Sequence, residues 1–125
     1  KAPKYFFTNV KRHGALLAKG RMLGIQFDTL FTDELYFKIS RHAIATATRI
    51  RSIFEKHGIA IAYDSPTNQQ FVVLSPALYE ALSQKVAFEI WERKSEHEII
   101  CRFVTSWATK EEELDELDHI LQAYA

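Results

Sequence analysis

The sequence is poor in cysteine and glycine and has no surplus of either charge. Its one cysteine, Cys101, has no second cysteine to bridge to, so an internal disulfide is excluded and a reducing, cytoplasmic setting is expected. Sixteen Lys and Arg balance sixteen Asp and Glu. Proteins that neutralise nucleic-acid phosphates, or hold a polybasic segment against an anionic membrane, carry a basic excess, so neither partner is expected. No apolar run approaches the roughly 20 residues that span a bilayer. The four glycines, at 14, 20, 24 and 58, are too scattered for a phosphate loop. No nucleophile elbow and no paired carboxylates stand out. Histidines 13, 42, 57, 97 and 119 show no metal-ligand spacing with Cys101 and read as structural or surface residues. The chain starts Lys1-Ala-Pro-Lys, which is neither an initiator Met nor a signal peptide, as expected of a segment from inside a longer chain.

What is present is a globular composition. Apolar residues make up 47 % of 125 residues, enough for one compact domain with a real core. From Lys4 to Phe31, Leu16, Leu23, Phe27 and Leu30 recur at helical spacing. Gly14, Gly20 and Gly24 weaken that helix. This stretch, 1–31, is expected to be a connecting helical segment that packs against something outside the domain.

The remainder, 32–125, is expected to be a small α+β domain. Asp33 is placed to cap a helix whose apolar stripe is Leu35, Ile39, Ala43, Ala47, Ile50 and Phe54. Lys56 and His57 suit its last turn, and Gly58 ends it. Strands follow at 59–63 and 71–74, around a turn at 64–68. Ser75-Pro76 starts a short helix. Strands at 86–93 and 99–105 read as a hairpin around Ser95-Glu96-His97. Thr109 and Glu112 suggest a capping box for a last helix lined by Leu114, Leu117, Leu121 and Tyr124. The order implies a sheet of about four strands, antiparallel or mixed, with helices packed on one side.

Among residues able to do chemistry, Arg102 stands out. It interrupts the apolar run Ile99-Ile100-Cys101-Arg102-Phe103-Val104, on one face with Ile100 and Val104. A charge there must reach water, a carboxylate or an anion. An edge-strand arginine that snorkels out, or pairs with Glu89 or Glu92, is one reading. A fork for a substrate carboxylate is the other. The cluster Lys11-Arg12-His13-Gly14, ahead of the first helix and with Lys19 and Arg21 beyond it, reads as a phosphate site at a helix N-terminus or as a solvated patch or subunit contact. Thr67-Asn68-Gln69 are turn caps or substrate-facing groups. Trp91 and Trp107 read as packing residues.

Three segments resemble one family. Arg12-His13-Gly14-Ala15-Leu16-Leu17-Ala18-Lys19-Gly20-Arg21-Met22-Leu23-Gly24-Ile25-Gln26-Phe27 is similar to a segment of bacterial low-specificity threonine aldolases, members of the β-eliminating lyase group of fold-type-I pyridoxal phosphate (PLP) enzymes. Asp64-Ser65-Pro66-Thr67-Asn68-Gln69 resembles that family's strand entrance. Arg102-Phe103-Val104-Thr105-Ser106-Trp107-Ala108-Thr109 resembles its late strand and the start of its last helix. The resemblance implies the C-terminal small domain of such an enzyme, with PLP as cofactor. The lysine that carries PLP, and the residues around its ring, are then expected upstream of this segment, since Lys1 and Lys4 sit too near Arg12. By the same resemblance, Arg12 reaches the PLP phosphate of a neighbouring subunit and Arg102 binds the amino-acid carboxylate. His13 stands where the wider family commonly has Gln. The implied parent is a homo-oligomer, dimer or tetramer, that cleaves threonine to glycine and acetaldehyde by retro-aldol chemistry. The fragment itself is expected to be inactive.

Three other functions stay open on the residues alone. One is β-elimination on another amino acid. A second is a free-standing α+β module that binds a small anion. A third is a nucleic-acid binder using Lys11 to Arg21, which the neutral charge disfavours.

Overall fold

The computed structural model describes residues 2–124. They fall into two compact units, one ending at Tyr36 and the other beginning at Phe37. In the first, helix α1 (Phe6–Arg12) and helix α2 (Gly20–Phe31) stand where the spacing predicts one helix. The break has a local cause. Gly14 takes φ +66°, a left-handed conformation that stops a helix. Leu16 therefore lies in the connection, not on the helical stripe. Neither helix buries a residue, although Phe6, Phe7, Met22, Ile25 and Phe27 are all more than half exposed. Twelve residues with no covered apolar face are marginal as a helix by themselves.

Asp33 does not take the extended backbone of a cap. Thr32–Glu34 form a 3-10 turn, and Asp33 and Glu34 both have positive φ, at 51° and 59°. Helix α3 then runs Leu35–Lys56. Its buried stripe is Ala43, Thr46, Ala47, Ile50, Ile53 and Phe54. Leu35 and Ile39 are outside it, because the first two turns lie beyond the edge of the core. The helix ends at Gly58, φ +72°, where the Gly58 N–H donates to the Glu55 carbonyl at 3.0 Å and the Ile59 N–H to the Phe54 carbonyl at 2.9 Å. These bonds satisfy carbonyls the helix would otherwise leave open.

Strands β1 (Ile61–Tyr63), β2 (Gln69–Leu74), β3 (Glu89–Arg93) and β4 (Ile99–Val104) form one antiparallel sheet in the order β1-β2-β4-β3. Between β2 and β3 lies helix α4 (Pro76–Ser83), capped by the Ser75 hydroxyl, which accepts from the Leu78 N–H at 3.2 Å. Helix α5 (Glu111–Gln122) closes the chain. Its cap sits one residue later than expected. The Glu113 carboxylate accepts from the Lys110 N–H at 3.0 Å, whereas the Thr109 hydroxyl accepts from the Ser106 N–H at 2.9 Å and closes the preceding turn.

Alternation sorts the strands into two faces. Val72, Leu74, Ile99, Cys101 and Phe103 point to the helices and form one core with Ile50, Ile53 and Phe54 of α3, Leu82 of α4, and Leu114, Leu117 and Leu121 of α5. The expected α+β layer, with helices on one side of the sheet, is what forms. Polar contacts seal α3 to α5. Arg49 pairs with Glu111 and Asp115, while Lys56 and His57 meet the Asp118 carboxylate at 2.7 and 2.6 Å. No helix among the described residues is long and apolar enough to cross a membrane.

Candidate functional site

The second face of the sheet carries Arg102. In the ladder, Arg102 stands opposite Phe71 on β2 and opposite Glu89 on β3. Strand β4 is therefore interior, and Arg102 is not the edge-strand arginine that the sequence allowed. A shift of register between Ile90 and Glu92 gives β3 a bulge, which re-aims a side chain. Trp91, two residues beyond Glu89, lies on the Arg102 face by ordinary alternation, with its ring 5.2 Å from Phe71 and the Arg102 guanidinium 5.3 Å from its centre, and the bulge brings Glu92 onto the same face. Tyr63 adds a third ring, 5.5 Å from Phe71, and its hydroxyl donates to Glu92 at 3.1 Å. That hydrogen bond, helped by burial, raises the Tyr63 pKa above its usual value.

Each nitrogen of the guanidinium has a different fate. Arg102 Nη2 forms an ion pair with Glu89 Oε2, and Nη1 donates to Gln69 Oε1 at 3.2 Å. Nε is buried with no hydrogen-bond partner among the described residues. A buried donor left unpaired is costly and calls for an explanation. The Arg102 side chain is 25 % exposed against 68 % for Glu89. The arginine is thus held by the sheet and by Trp91, while the carboxylate is free to move.

The β4 strand is fixed at its far end by Thr105. This side chain is buried, and its hydroxyl donates to the Ala43 carbonyl at 2.6 Å. The Asn68 amide donates to the Thr105 carbonyl at 2.7 Å, and the Thr105 N–H to the Asn68 carbonyl at 3.0 Å. Asn68 and Thr67 thus act as turn residues, with the Thr67 hydroxyl accepting from the Gln69 N–H at 3.2 Å. Of that trio only Gln69 reaches the arginine. Trp107 is 70 % exposed and is not the packing residue expected, whereas Trp91, 53 % exposed, packs on Phe71 and Arg102 outside the core. Trp91 escaped the sequence because alternation within β3 does not say which strand it lies beside.

Arg12 belongs to the other unit. It is the last residue of α1, exposed, and among the described residues it has no hydrogen-bond or ion-pair partner. The basic cluster therefore lies at a helix C-terminus, and a helix-N-terminus phosphate site does not apply to it. Lys4 is exposed ahead of the same helix, with its ammonium 5.4 Å from the Tyr5 ring centre. Lys1 lies outside the described residues. His42 Nε2 bonds to the Thr109 carbonyl at 2.8 Å and ties α3 to the loop before α5. Cys101 is fully buried, and burial pushes its thiol up to about 11, so it is no nucleophile at neutral pH.

No family model matches the chain, and no curated protein does. Among solved structures it is similar to the threonine aldolase of Leishmania major, with 32 % identity and a TM-score of 0.85. The match covers 98 % of this chain and 36 % of that one, so the chain spans about a third of that relative's length. In fold and in sequence, the chain is similar to about a third of a threonine aldolase.

Proposed function

We propose that this domain serves a PLP-dependent lyase that cleaves β-hydroxy amino acids, with threonine going to glycine and acetaldehyde. The observation that carries this is Arg102: a guanidinium held by Trp91 and Gln69 and still a quarter exposed, on the face away from the helices of a sheet similar to one in a threonine aldolase. Its fork suits a carboxylate, and a charge-assisted hydrogen bond there contributes about 1.5–3 kcal/mol. Fixing the carboxylate at one point restricts the orientation of the Cα substituents, which selects the bond that breaks. Arg12 fits a phosphate contact in trans, being exposed and without a hydrogen-bond or ion-pair partner among the described residues. When bound, the cofactor supplies the electron sink for the electrons left as the Cα–Cβ bond breaks. Its lysine is assigned to the large PLP domain upstream, so residues 1–125 alone are expected to bind no PLP covalently and to be inactive. The uncovered apolar side chains of α1 and α2 suit a contact with that upstream domain or a neighbouring subunit of a dimer or tetramer.

The test is direct. The full-length gene product, supplied with PLP and threonine, should release acetaldehyde and glycine in equal amounts. Ammonia and an oxo acid in their place would show β-elimination, and no reaction with any amino acid would remove the proposal.

A further inference from the structure

We infer that Glu89 is a built-in carboxylate that occupies Arg102 and must leave it when an amino acid binds, so that it sets substrate affinity. The inference rests on the reading of Arg102 as the carboxylate site. Its own support is the geometry on β3 and β4. Glu89 is the cross-strand neighbour of Arg102, and its Oε2 takes Nη2. A carboxylate group thus already sits on the nitrogen that a ligand carboxylate needs.

The arrangement is lopsided in a way that suits exchange. The guanidinium is held from three sides without Glu89. Trp91 lies 5.3 Å from it, Gln69 Oε1 accepts from Nη1, and the strand itself is interior to the sheet. Gln69 is neutral and leaves the positive charge uncompensated, so Glu89 is the component that neutralises it. Glu89, by contrast, is two-thirds exposed, which leaves its side chain free to swing into water at little cost. Nε is buried and unpaired among the described residues, and Glu89 takes Nη2 alone. The contact therefore leaves the fork incompletely used, and a ligand that satisfies more of it has an advantage. Glu92, the next acid on this face, is engaged elsewhere, by the Tyr63 hydroxyl.

An ion pair with an exposed partner competes only modestly, by a factor of about two to five. That factor is what the experiment reads. Calorimetric titration of glycine into the full-length protein gives its Kd, and steady-state kinetics give KM for threonine. Glu89→Gln should lower both by about two- to five-fold. Glu92→Gln removes the same charge from the same strand and should leave the glycine Kd unchanged. If Glu89→Gln leaves glycine binding unchanged or weakens it, Glu89 is a support for Arg102 and the inference is overturned. An equal gain from Glu92→Gln would reduce the effect to general electrostatics and overturn it too. Arg102→Ala in the same titration separates the two levels. If it leaves glycine binding intact, the carboxylate-site reading fails. If it abolishes binding while Glu89→Gln does nothing, only the present inference fails.

Discussion

Phe103 is the residue whose removal should most damage the support beneath Arg102. It is the next residue on β4 and points to the opposite face, where it is 4 % exposed. Its ring lies between Phe54 of α3, with centroids 4.8 Å apart, and Phe88, with centroids 4.6 Å apart and planes 18° from parallel. Truncating a buried Phe to Ala costs about 3–5 kcal/mol, from lost transfer energy and the cavity left behind. Two ring contacts on one side chain keep Phe103→Ala off the bottom of that range, at about 4 kcal/mol. A small domain holds about 5–15 kcal/mol in total. With a urea slope of about 2 kcal/mol/M, the midpoint should fall by roughly 2 M. Phe103→Leu keeps most of the volume and should cost only about 1–1.5 kcal/mol. Urea titration followed by circular dichroism and by tryptophan fluorescence checks both variants, and the two probes should coincide. A shift below about 0.5 M for Phe103→Ala would mean that this ring does not hold β4 to the helices.

Two further outcomes follow from titrating groups. The buried Cys101 thiol, raised to about 11, should resist thiol reagents at pH 8 in the native chain and react once urea unfolds it. Because the unfolded thiol ionises first, stability should also decline above about pH 9. Fast labelling of the folded chain would contradict the burial. Asp118 is held below its ordinary value by hydrogen bonds from Lys56 and His57. Its stabilising effect is therefore present above the unfolded carboxylate range and is lost as the pH falls through the lowered folded value. In thermal melts, the gap between the native chain and Asp118→Asn should be steady above about pH 5 and shrink below about pH 4. A gap that widens toward acid would reverse the sign.

Features that depend on local pattern were legible. The α3 stripe from Ala43 to Phe54, the Gly58 stop, the Ser75-Pro76 start and the β3–β4 hairpin all follow from spacing and capping chemistry, and so does the placing of Arg102 on a face away from Cys101 and Phe103. Features that depend on which strands meet were not. Nothing in the order of residues says that β4 lies inside the sheet, which of the two candidate acids, Glu89 or Glu92, stands opposite Arg102, or that Gln69 reaches across from β2. Bulges and left-handed residues were hidden for a related reason. Glu92 changes face by a one-residue shift, and Asp33 and Glu34 take positive φ where a capped helix start was expected. The break at Gly14 was foreshadowed by its glycine, but the helical spacing of Leu16 with Leu23 and Phe27 masked it. Arg12 sits at a helix C-terminus for that reason, and its proposed phosphate role rests on the family resemblance and on its exposure.

The central claim is that the Arg102 guanidinium grips the carboxylate of the amino-acid substrate. The most direct measurement is KM for threonine in the full-length enzyme carrying Arg102→Ala. Loss of a charge-assisted fork worth about 1.5–3 kcal/mol should raise KM about ten- to a hundred-fold. Arg102→Lys, which keeps the charge but not the fork, should recover only part of that loss. A KM equal to that of the native enzyme in both variants would contradict the claim outright.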